Sequence, residues 1–297
     1  AGSVVLTALA MVEDRDDIDY QRAVAKAHEH GQRARELAAH GIPPTGALTL
    51  VREDPKVQGP ILFAQHCASC HSYEDITGEY EGTEVVNPEP TAPNLFGFGS
   101  RDWVAAMLDP ERIKNVHHFG YEGSPFVAED YDYGMVAWVN DTFGDAAEED
   151  RQQLETEIDK VIKALSAEAH LHYQAELDER DRQAIDAGRQ MILEQTEFIT
   201  CTDCHKFHDQ GYLGSAPDLT GYGSHDWLTA FISNPAHERF YGTREERAPG
   251  GNDRMPAFAW PPEDPKQHRL RQGDLDLIVR WLRREWYEPE GTQPLEP

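Results

Sequence analysis

Cys67-Ala68-Ser69-Cys70-His71 recurs further along the chain as Cys201-Thr202-Asp203-Cys204-His205, and the two stretches use all four cysteines of the 297-residue sequence. Two thiols three positions apart lie on one face of a helical turn, spaced to add to the two vinyl groups of a porphyrin. The histidine that follows turns an imidazole nitrogen towards the iron from below. C-x-x-C-H is the attachment signal for a c-type haem. Cys67, Cys70, Cys201 and Cys204 are therefore the expected covalent anchors of two haem groups, with His71 and His205 as proximal iron ligands. Rival chemistries fit worse. A four-thiolate zinc site has no need of a histidine directly after both pairs. A thioredoxin-like dithiol needs a βαβ frame, and the sequence shows almost no alternating strand signal.

The text around each motif repeats as well. Ala92-Pro93-Asn94-Leu95-Phe96-Gly97-Phe98-Gly99-Ser100-Arg101-Asp102-Trp103 lies over Ala216-Pro217-Asp218-Leu219-Thr220-Gly221-Tyr222-Gly223-Ser224-His225-Asp226-Trp227 at an offset of 124. The segment Tyr133-Gly134-Met135-Val136-Ala137-Trp138 is matched, at an offset of 120, by the one around Met255 (Asp253-Arg254-Met255-Pro256-Ala257-Phe258-Ala259-Trp260). Such self-similarity marks a duplicated domain. Each copy opens with an apolar-striped helix: one carries Ile61, Leu62 and Phe63, the other runs from Asp181 to Phe198 with Ile185, Met191, Ile192 and Phe198 inward. Each closes with another, over 145–172 (Leu154, Ile158, Val161, Ile162, Leu165) and over Asp274 to Trp286 (Leu277, Ile278, Trp281, Leu282). Ser100 is the expected N-cap of a helix holding Trp103 and Met107. The prediction is an all-α fold: a leader over residues 1–53, a first haem domain over 54–177 and a second over 178–297.

Within the leader, Tyr20 to His40 reads as a helix ended by Gly41. It is too weakly apolar to build a core, so it should lie over another surface or act as a tether. His28, His30 and His40 read as solvated. Val4 to Val12 (VVLTALAMV) is too short to span a bilayer alone; it reads either as the end of a membrane helix or as a small apolar segment.

A haem iron takes a second axial ligand, and thioether sulfur raises the potential relative to two nitrogens. Met135 and Met255, 64 and 50 residues after their respective motif histidines, sit beside Gly134 and Pro256 in what reads as a ligand loop. Read in chain order, Met135 serves His71 and Met255 serves His205. Met107 and Met191 fall at core spacing on helices, and Met11 lies in the leader. His117 and His118 are the alternative to Met135. Trp103 and Trp227 are candidate indole N–H donors to haem propionates, with core packing as the alternative. His208 and His225 read as surface or propionate-side residues.

The formal charge of −27 excludes nucleic acid as a partner class, because phosphate binding needs an excess of Lys and Arg. Residues 59–150 hold 18 Asp and Glu against 3 Lys and Arg, whereas residues 181–297 hold 20 against 13. The acidic first half is expected to steer a basic partner towards the Cys67 site.

Both halves, over 54–166 and 178–288, resemble class I-type cytochrome c domains: apolar helix, C-x-x-C-H, Pro-Leu-Gly segment, helix with an aromatic, methionine, apolar closing helix. Gly41-Ile42-Pro43-Pro44, Leu62-Phe63-Ala64-Gln65-His66-Cys67, CTDCHKFHD, APDLTGYGS and NDRMPAFAW further resemble the cytochrome c portion fused to, or associated with, cytochrome b in bacterial Rieske–cytochrome b (quinol:cytochrome c reductase) complexes. That resemblance implies an electron-transfer protein with two haem c and no catalytic residues. Its partners would be cytochrome b, the Rieske protein and a basic soluble cytochrome or oxidase. It would lie on the periplasmic side of a membrane, held there through the N-terminal segment or a partner subunit. The long leader and the acidic insertion after the first motif depart from small soluble cytochromes. A dihaem subunit of a cbb-type haem–copper oxidase and a dihaem peroxidase are the alternatives.

Overall fold

The described residues fold mostly into helices, joined by turns and irregular segments. In the computed structural model residues 2–77, 84–127, 134–214, 216–242, 255–259 and 264–288 are described. Among them the only β features are two isolated bridges, Tyr73 with Val85 and Phe207 with Gln210. Tyr133, Asp253, Arg254, Trp260 and residues 78–83 of the acidic loop lie outside the described set.

The leader is three helices: α1 (Gly2–Asp16), α2 (Ile18–Ala38) and α3 (Ala47–Arg52). Asp17 caps α2 by accepting the Asp19 and Tyr20 backbone N–H groups. Helix α1 leaves Val4, Val5, Leu6, Leu9, Met11 and Val12 exposed, and no described helix is long and apolar enough to cross a membrane. Helix α2 lies over a surface: its buried Arg33 forks onto Asp54 (Nε to Oδ2 and Nη2 to Oδ1, both 2.9 Å) and reaches the Tyr287 carbonyl (2.6 Å).

The first repeat contributes α4 (Pro55–His66), α5 (Arg101–Met107), α6 (Gly134–Asp145) and α7 (Arg151–Glu168). The second contributes α9 (Arg182–Glu194), α10 (His225–Ser233) and α11 (Gln272–Leu282), with the short α8 (Ala175–Arg180) between the repeats. Ser100 and its repeat equivalent Ser224 cap α5 and α10, accepting from the Trp103 and Trp227 backbone N–H groups at 3.2 Å. Helix α9 ends at Glu194, short of the predicted Phe198. Gln195 adopts a φ of 60°, and Thr196 Oγ1 accepts the Phe198 and Ile199 backbone N–H groups in a turn that replaces the helix.

The helices do not pair in chain order. Helix α4 packs on α11, and α7 packs on α9. Two cores result. One gathers Phe63 and Tyr73 with Trp227, Phe240, Phe258, Leu275, Ile278 and Trp281. The other gathers Trp103, Val139, Leu154, Ile158 and Val161 with Ile192, Ile199 and Phe207. The predicted boundary at 177/178 therefore separates sequence repeats but not cores, because the face of α7 that was to close the first domain is covered by α9. Among the described residues, α5, α6, α7 and α9 with the Cys201 turn form one module around the Trp103 core; α4, α10 and α11 with the Cys67 turn form the other around the Phe63 core.

The chain crosses between modules where the repeated Gly-x-Gly-Ser segments meet. Gly99 and Gly223 both have positive φ (80° and 74°) and face each other and Ala169 so closely that a Cβ on Gly223 would lie 3.3 Å from the Gly99 Cα and 3.1 Å from the Ala169 Cβ. Only glycine suits both demands. The seam is aromatic: Leu95, Phe98 and Tyr222 pack against both cores, and the Trp103 indole donates to the Tyr222 hydroxyl at 2.9 Å. Buried Arg283, just after α11, donates to the carbonyls of Ala169 (2.8 Å) and Gly223.

Candidate functional site: two Cys-x-x-Cys-His turns

Each motif forms the same tight turn. The His71 and His205 backbone N–H groups donate to the carbonyls of Cys67 and Cys201 respectively, both at 2.9 Å. Each then holds its ring in the same way. Nδ1 of His71 donates to the Pro93 carbonyl and Nδ1 of His205 to the Pro217 carbonyl, both at 2.7 Å. A carbonyl can only accept, so Nδ1 carries the proton and Nε2 is left as the coordinating nitrogen. Burial pushes both imidazoles below their ordinary pKa, keeping them neutral and able to bind a metal. Behind each proline a main-chain bond closes the strap, Leu95 to the Ser72 carbonyl (2.9 Å) and Leu219 to the Lys206 carbonyl (2.8 Å).

The repeat in the sequence already aligned Pro93 with Pro217, and that coincidence was the available signal for this second-layer contact. Its role was not legible, because what acts is a backbone carbonyl and not a side chain.

All four cysteines are free thiols. Burial pushes the Cys67 and Cys201 thiols up to about 12, the opposite of the lowered thiol that a reactive redox dithiol requires. The two pairs lie against different cores, Cys67 with the Phe63 core and Cys201 with the Trp103 core, so they cannot share one ion. Among the described residues no group of three or more His, Cys, Asp or Glu could hold a metal. The donors present, a C-x-x-C pair and one oriented neutral imidazole per site, fit a covalently held haem with an axial histidine. Neither of two open clefts, of about 510 and 660 Å³, is lined by a motif residue.

The methionines fall elsewhere than chain order predicts. Met135 is the second residue of α6 rather than a loop residue, and it packs against the core that holds Cys201. Met255 lies in an irregular segment and packs against the core that holds Cys67. The α6 side of this arrangement is pinned by the Trp138 indole, which donates to the hydroxyl of Thr200, next to Cys201, at 2.9 Å.

The two tryptophans do not have the free indole N–H that a propionate contact needs. Trp103 donates to Tyr222, as above, and Trp227 to the Asp218 carbonyl at 2.7 Å. An indole has one N–H, so their place in the seam and core explains them. His118 is buried with its ring 5.5 Å from that of Trp103, and its Nδ1 has no partner. Burial first, then Arg112, pushes it down to about 4. His117, by contrast, is half-buried. His225 is tied to Asp276 at 2.9 Å and His208 lies 3.4 Å from Glu168.

No family model matches the chain, and neither the curated proteins nor the solved structures contain a match.

Proposed function

We propose that the chain is a dihaem c-type cytochrome that carries electrons, taking them from a Rieske–cytochrome b quinol-oxidising complex on the periplasmic side of a membrane and passing them to a soluble carrier or oxidase. The observation that carries this reading is the duplicated proximal arrangement: two C-x-x-C-H turns, each with a buried neutral histidine whose Nδ1 is fixed on a proline carbonyl at 2.7 Å. When bound, the haems supply one-electron redox centres. The chain's own part is to anchor them through Cys67, Cys70, Cys201 and Cys204, to orient His71 and His205, and to offer Met135 and Met255 as sulfur ligands. The proline carbonyls make the imidazoles more electron-rich donors. No bond in a substrate is made or broken, so no general acid or base is called for. Partner cytochrome b and Rieske subunits, and membrane attachment through α1 or a partner, belong to the same reading.

Expression with a c-type haem maturation system tests it. The expected product carries two covalently bound haems per chain, both low-spin, and is reduced by a Rieske–cytochrome b complex supplied with quinol. Absence of covalent haem would refute the cytochrome reading. A high-spin iron with peroxide turnover would replace the carrier by a peroxidase, and copurifying copper would favour a haem–copper oxidase subunit.

A further inference from the structure

We infer that the axial ligands are crossed between the repeats: Met255 belongs to the iron held by His71, and Met135 to the iron held by His205. The inference rests on the haem reading above but does not follow from it, since a tandem pair of cytochrome domains would pair each histidine with the next methionine along the chain.

Three independent features carry it. The helix leading into each motif packs on the closing helix of the other repeat, and both crossings are made at a glycine. A Cβ on Gly59 would fall 2.2 Å from the Trp281 Cβ, and one on Gly188 would fall 2.0 Å from the Lys160 carbonyl oxygen. Each methionine shares a core with the cysteine of the other repeat. Polar contacts link the same partners: Trp138 to Thr200 (2.9 Å) and Glu157 to Thr196 (2.6 Å) tie α6 and α7 to the approach to Cys201, while Lys56 to Glu288 (2.8 Å) ties α4 to the segment that follows α11. A sulfur ligand has to sit in the core that encloses its own haem. Each haem is then held by residues from both copies of the duplication.

Single-haem chains test the pairing. Cys67→Ala with Cys70→Ala leaves only the haem at Cys201, and Cys201→Ala with Cys204→Ala leaves only the one at Cys67. In the first background, Met135→Ala is expected to abolish the sulfur-to-iron charge-transfer band and the shifted methionine methyl resonance, while Met255→Ala leaves both. In the second the outcomes exchange. The opposite pattern overturns the crossed pairing and leaves the cytochrome reading standing. No sulfur-to-iron band in either background, before any methionine is changed, overturns sulfur ligation and the pairing with it. The intact dihaem chain provides a check that does not depend on variants folding: a zero-length carbodiimide is expected to join Lys56 to Glu288 within monomers. Finding that cross-link only in dimers, or not at all, would overturn the exchange of helices within one chain.

Discussion

Buried against the Trp103 indole, His118 stands where the second repeat has Phe240, whose ring packs on Trp227 at 5.2 Å. The sibling shows that an aromatic hydrocarbon fits this place. His118→Phe removes a buried nitrogen without a partner, a group that costs about 1–3 kcal/mol, and is expected to raise the Tm. The histidine also makes the fold acid-sensitive. Its folded pKa, about 4, lies below the unfolded value of 6.5, so the unfolded chain takes up the proton first and stability falls as pH drops from about 6.5 to about 4. The variant should lose that part of the acid sensitivity in denaturation measured across the window. Loss of a nitrogen-ligand signature instead would identify His118 as an iron ligand. At this scale the sequence was most informative where chemistry demands a fixed spacing, as in the cysteines and histidines. It misled where residue type alone was the guide: tryptophan N–H groups suit propionates, but here protein acceptors take them.

Helix existence was legible from periodicity, and helix pairing was not. The apolar stripes on α4, α7, α9 and α11 state that each has a face to bury; nothing in a stripe says against which partner. The glycines were the missed signal. Gly59 precedes Phe63 by four positions, just as Gly188 precedes Ile192, which marks one close-approach position on each entering helix. Gly59→Ala gains about 1 kcal/mol of helix propensity but forces α4 off Trp281, an overpacking cost of about 1–3 kcal/mol or more. Net destabilisation is expected in urea, because the added methyl would meet the Trp281 Cβ and Cγ, both at 2.2 Å; a Gly59→Ala chain as stable as the parent would show that the helices do not meet there. The leader clamp is the second element-level prediction. Arg33→Met leaves the Asp54 carboxylate buried and unpaired, at about 3–5 kcal/mol. Limited proteolysis should then cut the segment 39–46 faster, and Asp54→Asn should restore part of the protection.

For the molecule as a whole, the all-α class and the duplication followed from sequence, while the crossing of repeats did not, because repeats describe ancestry of segments and cores describe proximity. That difference moves the charge. The sequence span 101–222, from which the helices around the Cys201 core are drawn, holds 26 Asp and Glu against 10 Lys and Arg; residues 54–100 with 223–288 hold 18 against 11. Of the 18 Asp and Glu in residues 59–150, 12 lie in 101–150, beyond the point where the chain passes to the Cys201 core. On the cytochrome reading proposed above, a basic partner is expected to approach the Cys201 end. Neutralising the exposed Asp141, Asp145, Glu148 and Glu149 is expected to slow partner association several-fold at low salt and to flatten the ionic-strength dependence. Neutralising Glu74, Glu84 and Glu89 should do less.

The glycine crossing also sets a timetable. The Cys201 module is drawn from one continuous stretch, so all its helices are available once the chain has reached residue 222. The Phe63 core must wait for α11, more than two hundred residues after α4, and contacts that distant in sequence form slowly. Cys67 and Cys70 are therefore made early and enclosed late. Through that interval both thiols remain open to covalent modification, whether attachment of a group or oxidation into a disulfide. The first motif to be made is the last to be sealed.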